Sequence, residues 1–262
     1  GVESMTRAPF VIGKSETAFD RSSEMFDTTM GWRFINKNLS ALHYPFGMGE
    51  TAENVAKQWN ISRQEQDEFA FSSQQKYAAA KAANKWDDEI AAVELNNKGM
   101  ISWIVCDEHP RATSLEKLGT LKPAFIKDGT VTAGNSSGIN DGSAAMLLAS
   151  EEAVKKYNLS PLAKVTSMAV AGVDPAIMGI GPVPATQKAL QRAGLKINDI
   201  GMIELNEAFA SQSIACIRDL RLDSKKVNVN GGAIALGHPL GCSGVRIATT
   251  LLHEMQKEDV RY

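Results

Sequence analysis

Met202-Ile203-Glu204-Leu205-Asn206-Glu207-Ala208-Phe209-Ala210 decides how this chain is read. Residues 202–205 form a short, mainly apolar run of strand type, and a helix is expected from about residue 207 to 218. Working outward, residues 164–171 read as a buried strand. Pro184 then sits where a first-turn proline belongs, and Gly194 where a helix stops. Residues 227–229 read as a third strand and 243–257 as a final helix. Strand and helix alternating three times is α/β organisation. Just before this region lie a short apolar run at 143–148 and a helix opened by Ser150-Glu151-Glu152, ending before Leu159-Ser160-Pro161.

The N-terminal part has another texture. Residues 10–49 mix Gly, Pro, Met and aromatics without a period. Ser62-Arg63-Gln64-Glu65 is a capping box opening a helix to about residue 84, and 87–130 is irregular again. Residues 10–139 therefore read as an inserted domain. With 44% hydrophobic and 22% charged residues, the 262-residue chain is of ordinary globular composition. A net charge of -2 gives no general pull toward nucleic acid, and no apolar run is long enough to span a bilayer. Cys106, Cys216 and Cys242 form no CxxC pair, so a reducing, cytoplasmic setting is expected. Both Gly1-Val2-Glu3-Ser4-Met5 and Asp259-Val260-Arg261-Tyr262 read as interior sequence, so a fragment is expected.

Three segments stand out chemically. Gly231-Gly232-Ala233-Ile234-Ala235-Leu236-Gly237-His238-Pro239-Leu240-Gly241-Cys242-Ser243-Gly244 carries five glycines in fourteen residues. Such a loop permits turns with positive φ and close backbone approach, and it either presents His238 to a ligand or folds into a tight turn with a satisfied imidazole. Asn206 is placed to cap the next helix, and equally to hold a water or an oxyanion. Thr132-Ala133-Gly134-Asn135-Ser136-Ser137-Gly138-Ile139-Asn140-Asp141-Gly142 reads as a surface that a ligand backbone or pantetheine arm could approach, or as a flexible linker. Neither GxGxxG nor a Walker loop is present.

Asn206 to Ala210, the GHPLGCSG within Gly231 to Gly244, Val131 to Gly138 and Met48-Gly49-Glu50-Thr51-Ala52-Glu53-Asn54-Val55-Ala56 together resemble thiolase signatures, in the expected order along the whole chain. The resemblance is closer to bacterial-type acetyl-CoA acetyltransferases and degradative 3-ketoacyl-CoA thiolases than to ketoacyl-carrier-protein synthases. Gly47, where many biosynthetic members carry histidine, is a departure from that branch. The resemblance implies a layered αβαβα fold of two similar α/β halves. Residues 1–9 and 140–161 would be the remnant of a mostly missing N-terminal half, 10–139 an inserted, CoA-binding loop domain, and 162–262 a truncated C-terminal half.

The implied activity is reversible Claisen condensation and thiolysis between acetyl-CoA and acyl-CoA, as in fatty-acid metabolism. No cofactor is implied beyond coenzyme A as carrier, and no metal; the assembly would be a homodimer or homotetramer. His238 matches the histidine that activates a nucleophilic cysteine and helps form the oxyanion hole, and Asn206 the asparagine holding a water there. Met48, Arg111, Phe125, Ser137, Met178 and Phe209 fall where the family contacts coenzyme A or the acyl pantetheine, Arg111 meeting phosphate. The family's two catalytic cysteines would lie before Gly1 and after Tyr262, so this chain alone is expected to be inactive. Cys242, near a helix N-terminus that favours thiolate, is the internal substitute considered. The rival reading is a non-catalytic acyl-CoA-binding protein on the same fold.

Overall fold

The computed structural model describes residues 1–262. Its first part contains β1 (Val2–Ser4), β2 (Phe10–Ile12), β3 (Met25–Asp27), α1 (Lys37–Leu42), α2 (Met48–Gln58) and α3 (Arg63–Ala82). Next come β4 (Val93–Asn97), β5 (Met100–Ile104), α4 (Leu115–Gly119), β6 (Asp141–Ser143) and α5 (Glu151–Tyr157). The last part holds α6 (Pro182–Ala193), α7 (Ala210–Leu220), α8 (Ala233–Leu236) and α9 (Leu240–Lys257).

Local signals set the helix ends. The Ser62 hydroxyl accepts the Glu65 amide at 3.2 Å while Glu65 accepts the Ser62 amide at 2.8 Å, which starts α3 where the capping box predicts. Ser150 caps α5 in the same manner, through the Ala153 amide. Gly194 ends α6 at φ +68, a conformation that costs glycine little. The core is organised around α3. Its Tyr77 and Ala80 pack with Trp86, Ala235 and Leu236, and its Ala70 packs with Leu118, Ala210 and Ile234. Helix α2 contributes Val55 against Ile61 and Ala215. The segments that surround the glycine loop are therefore pinned by one long helix.

The expected strands fare differently. β1 pairs antiparallel with β6, Val2 opposite Ser143 and Ser4 opposite Asp141, while β2–β3 and β4–β5 are hairpin pairs. Only the first residue of the apolar run at 143–148 enters a strand; Leu147 and Leu148 are exposed. Residues 164–171, expected to be a buried strand, form no ladder, and Val170 is 83% exposed. No strand lies alongside them. Instead Arg192 and Lys188 of α6 donate to the Met168 and Val170 carbonyls. The strands at 202–205 and 227–229 shrink to a single parallel bridge between Ile203 and Val227. A strand's side-chain pattern is local, whereas a ladder needs a partner backbone at the right distance.

Candidate functional site

The helix expected from residue 207 begins at Ala210, with Phe209 as its uncapped first flank, so Asn206 does not cap it. Residues 206–209 instead remain an extended connection held in place from the side. The Asn228 carboxamide accepts the Leu205 amide at 2.7 Å and donates to the Leu205 carbonyl at 2.8 Å, mimicking a neighbouring strand. That grip directs Asn206 toward the glycine loop.

On that loop, Gly237 adopts φ +98, and a Cβ there would lie 2.5 Å from Asn140 Oδ1. Glycine thus lets the chain turn against Asn140, whose Oδ1 accepts the His238 amide at 3.2 Å. His238 Nδ1 lies 2.7 Å from Ser243 Oγ, which donates its single proton to the Pro239 carbonyl at 3.0 Å. With the hydroxyl proton so committed, Nδ1 carries the imidazole proton and Nε2 is the unprotonated acceptor; the tautomer is assigned from this network. Nε2 lies 3.3 Å from Asn206 Nδ2, so the two side chains meet. Burial, seconded by the Arg246 charge, holds the imidazole below its ordinary pKa. It is a neutral base at neutral pH. Asn206 Oδ1 is buried and has no hydrogen-bond partner, an arrangement that costs free energy unless something polar can reach it.

Four of the six expected coenzyme A contacts cluster beside this pair. The Phe125 ring packs edge-on to Phe209 at 5.9 Å and rests on Gly49, where any Cβ would lie 2.1 Å from it; exposed Met48 is the next residue. The Ser137 amide and hydroxyl both donate to the Ala208 carbonyl, at 3.0 and 3.1 Å. Met178 stands exposed on a 3-10 segment, Pro175–Ile180, that packs on α2 and α7. Arg111 is exposed and forms no ion pair; its amide donates to Gln74, which in turn donates to the Ile234 carbonyl. Met178 and Arg111 reach the cluster only through these intermediaries. Residues 131–136 are largely buried and hydrogen-bonded, so the flexible-linker reading is overturned for that part of the 132–142 stretch.

The cysteines divide clearly. Cys106 is exposed, while Cys216 lies in the core, where burial pushes its thiol up to about 11. Burial also pushes the Cys242 thiol up, so the helix N-terminus beside it does not yield the thiolate that its position suggests. Asn140 and Ser243, which hold the His238 amide and ring, are not among the site residues that the sequence singles out, and neither is Glu207, whose carboxylate bonds Asn228, Ser73 and the Ile234 amide. Ser243 lies five residues from His238 but on the first turn of α9, so only the loop's fold reveals the pairing.

Beneath the site, Glu204 Oε2 sits 3.6 Å from Arg246 Nη1, too far for a hydrogen bond, and burial pushes its carboxyl up to about 8. The folded pKa exceeds the unfolded one near 4.5, so the stability that Glu204 contributes is full below pH 4.5 and is lost as pH rises to about 8. We expect Glu204→Gln to flatten this part of the stability profile and to raise the melting temperature at pH 8 relative to wild type. A melting series in which the two proteins fall in parallel would contradict it.

No helix is long and apolar enough to cross a membrane. The N-terminal thiolase domain family matches residues 1–152 and the C-terminal thiolase domain family residues 159–262. The first match corrects the expectation that the N-terminal half is mostly missing: the irregular stretch between residues 10 and 139 belongs to that domain with its flanks, and its lack of a period hid this. The chain is 52% identical, over its full length, to 3-oxoadipyl-CoA/3-oxo-5,6-dehydrosuberyl-CoA thiolase of Escherichia coli strain K12, of which it covers 66%. Its structure superposes on Bacillus anthracis acetyl-CoA acetyltransferase with a TM-score of 0.90 at 42% identity, covering 99% of this chain and 65% of that one. Human mitochondrial 3-ketoacyl-CoA thiolase in complex with CoA gives 0.89 at 45% identity, covering 99% and 64%. The chain thus spans just under two thirds of the length of these proteins. Two domain models in tandem and a shared fold at such identity lead to one conclusion: this chain belongs to the thiolase family.

Proposed function

We propose that this chain supplies the histidine, the asparagine and the coenzyme A surface of an acyltransferase that cleaves 3-ketoacyl-CoA with CoA and runs the reverse Claisen condensation. One observation carries the proposal. A neutral imidazole whose unprotonated Nε2 accepts from Asn206 Nδ2 at 3.3 Å lies beside a carboxamide oxygen that is buried and unpaired.

In the forward direction Nε2 takes the proton of a cysteine thiol, and the thiolate attacks the ketone carbon of the substrate. The bond from that carbon to its α-carbon breaks, leaving an acyl-cysteine and an acetyl-CoA enolate that is protonated. CoA, giving up its thiol proton, then takes the acyl group and releases the cysteine thiol. The imidazolium formed in the first step donates Nε2–H to a carbonyl oxygen that is gaining negative charge. Asn206 Oδ1 accepts one hydrogen of a water whose other hydrogen points at the same kind of oxygen, completing an oxyanion hole. Ser243 keeps Nδ1 protonated throughout, so the proton exchanged is always at Nε2. The nucleophile and a second, acid–base cysteine are proposed to lie in the third of the relatives' length that this chain does not span, and the chain alone is proposed to be inactive.

For binding, Met48, Phe125 and Phe209 offer an apolar wall to the pantetheine, Ser137 and Met178 line its path, and Arg111 meets a phosphate as a free guanidinium. The domain at 10–139 would carry most of this surface. The Escherichia coli relative's name points to 3-ketoacyl groups of dicarboxylic acids as the substrates to try first. Exposed Leu147, Leu148, Val165 and Val170 fit a homo-oligomer of the complete protein.

The test is direct. The complete protein, given 3-oxoadipyl-CoA and CoA, is expected to release acetyl-CoA and the shortened acyl-CoA, and to form a labelled acyl-cysteine when CoA is withheld. Tight acyl-CoA binding with neither product nor covalent label would replace this reading with that of a non-catalytic acyl-CoA-binding protein.

A further inference from the structure

The most deeply buried carboxylate next to the site has no part in the chemistry above. Glu207 is 2% exposed and forms no ion pair, and its carboxylate is held entirely by donors. Asn228 Nδ2 donates to Oε1 at 2.8 Å; Ser73 Oγ and the Ile234 amide donate to Oε2 at 2.7 and 3.1 Å. These donors come from three places: the segment bridged to Ile203, the long helix α3, and the glycine loop. Ser73 also accepts the Gly232 amide at 3.0 Å, so this one hydroxyl bridges the glycine-loop backbone and Glu207. A Cβ on Gly232 would lie 2.2 Å from the Glu207 carboxyl carbon, so glycine here allows the loop backbone to lie flat against the carboxylate.

We propose that Glu207 is a positioning residue, which ties the Asn206 segment to the glycine loop and so fixes the approach of Asn206 to His238. The proposal rests on the functional reading above for its catalytic consequence, though not for the coupling itself. Glu207 follows Asn206 directly, and Ile234 lies four residues before His238, in the wholly buried helix α8. A bond from one to the other spans the gap between the two loops at its base. Helix α3, through Ser73, holds both to the domain that carries the coenzyme A contacts. The carboxylate cannot be exchanged for an amide here. Each oxygen faces an N–H donor, so either orientation of a glutamine sets N–H against N–H.

The experiment has two readouts. In the complete enzyme, the His238 titration is followed by NMR, its signal assigned by its loss in His238→Asn. In the same protein, shown to be folded, kcat and KM are measured. For Glu207→Gln we expect kcat to fall about 30-fold with KM for acyl-CoA within about 3-fold, a magnitude typical of removing support behind a reacting group. The His238 titration should move up toward an ordinary imidazole value as the loop loosens and hydrates. Leu220→Ala, which removes core packing at the far end of α7, serves as a control for destabilisation alone and should leave that titration in place. If Glu207→Gln does not fold, Ser73→Ala, which deletes one hydroxyl, should show the same pattern at about 5-fold.

An unmoved His238 titration together with kcat within 3-fold, in either Glu207→Gln or Ser73→Ala, overturns the proposal and leaves Glu207 a purely structural group. A moved titration in an enzyme where His238→Ala is fully active would instead sink the functional reading and keep the coupling.

Discussion

His238→Ala in the complete enzyme is expected to slow thiolysis and condensation alike by about 10³-fold, while KM for acyl-CoA changes by only a few-fold. Two separate losses combine in this number. The base that takes the thiol proton disappears, and so does the cation that would then donate to the oxyanion. Because one group performs both in sequence, the effects of His238→Ala and Asn206→Ala should fall well short of multiplying. KM moves little, because Met48, Phe125, Ser137 and Phe209 lie around the 208–209 backbone and not on the imidazole. The pH profile adds a sign. Burial and Arg246 lower the His238 pKa, so the neutral base persists below pH 6.5, and kcat/KM should begin to fall only on the acid side of that value. Activity within a few-fold of wild type in both directions would mean that the His238–Asn206 pair is not where the chemistry happens.

What the sequence revealed of this fold follows the range of the interactions involved. Ser62 with Glu65, Ser150 at α5 and Gly194 at φ +68 act within four residues, and each marks its helix end as the local pattern predicts. Residues 164–171 carry a strand's side-chain pattern, yet their carbonyls bond to Arg192 and Lys188, because a ladder depends on a backbone that the pattern cannot name. The site divides along the same line. His238 and Asn206 stand out through glycine-rich or strand-end context and through resemblance to a family. Ser243 and Glu207 sit inside those same segments, yet their bonds to His238 and to the Ile234 amide are not legible there, and Asn140, 98 residues from the histidine whose amide it accepts, gives no local signal. Asn206 also shows a local rule losing to a distant contact: its position favours a helix cap, but the grip of Asn228 on Leu205 keeps the chain extended for three more residues.

Glu53→Ala is expected to cost about 3 kcal/mol of stability, the largest single loss we foresee outside the hydrophobic core, read as a drop in the denaturation midpoint at unchanged slope. The Glu53 carboxylate on α2 accepts the Thr130 amide at 2.8 Å, the Val131 amide at 2.8 Å and the Thr130 hydroxyl at 2.9 Å. It is 7% exposed, and Val131 behind it is fully buried, so alanine would strand several donors where water enters poorly. Glu53→Gln should be far milder. Its Oε1 can keep both short backbone bonds; its amide nitrogen would forfeit only the longer 3.0 Å contact from the Thr130 amide and meets a hydroxyl able to accept, whereas at position 207 no glutamine orientation keeps the short bonds. The consequence for function runs along the chain. Thr132 and Asn135 fold the next residues over each other, and Ser137 emerges two residues later against Ala208. Loosening the base of that segment should therefore raise KM for acyl-CoA before it lowers kcat. A Glu53→Ala protein within about 0.5 kcal/mol of wild type would show that water replaces the carboxylate, and that the coenzyme A surface draws its order from the aromatic contacts of Phe125 alone.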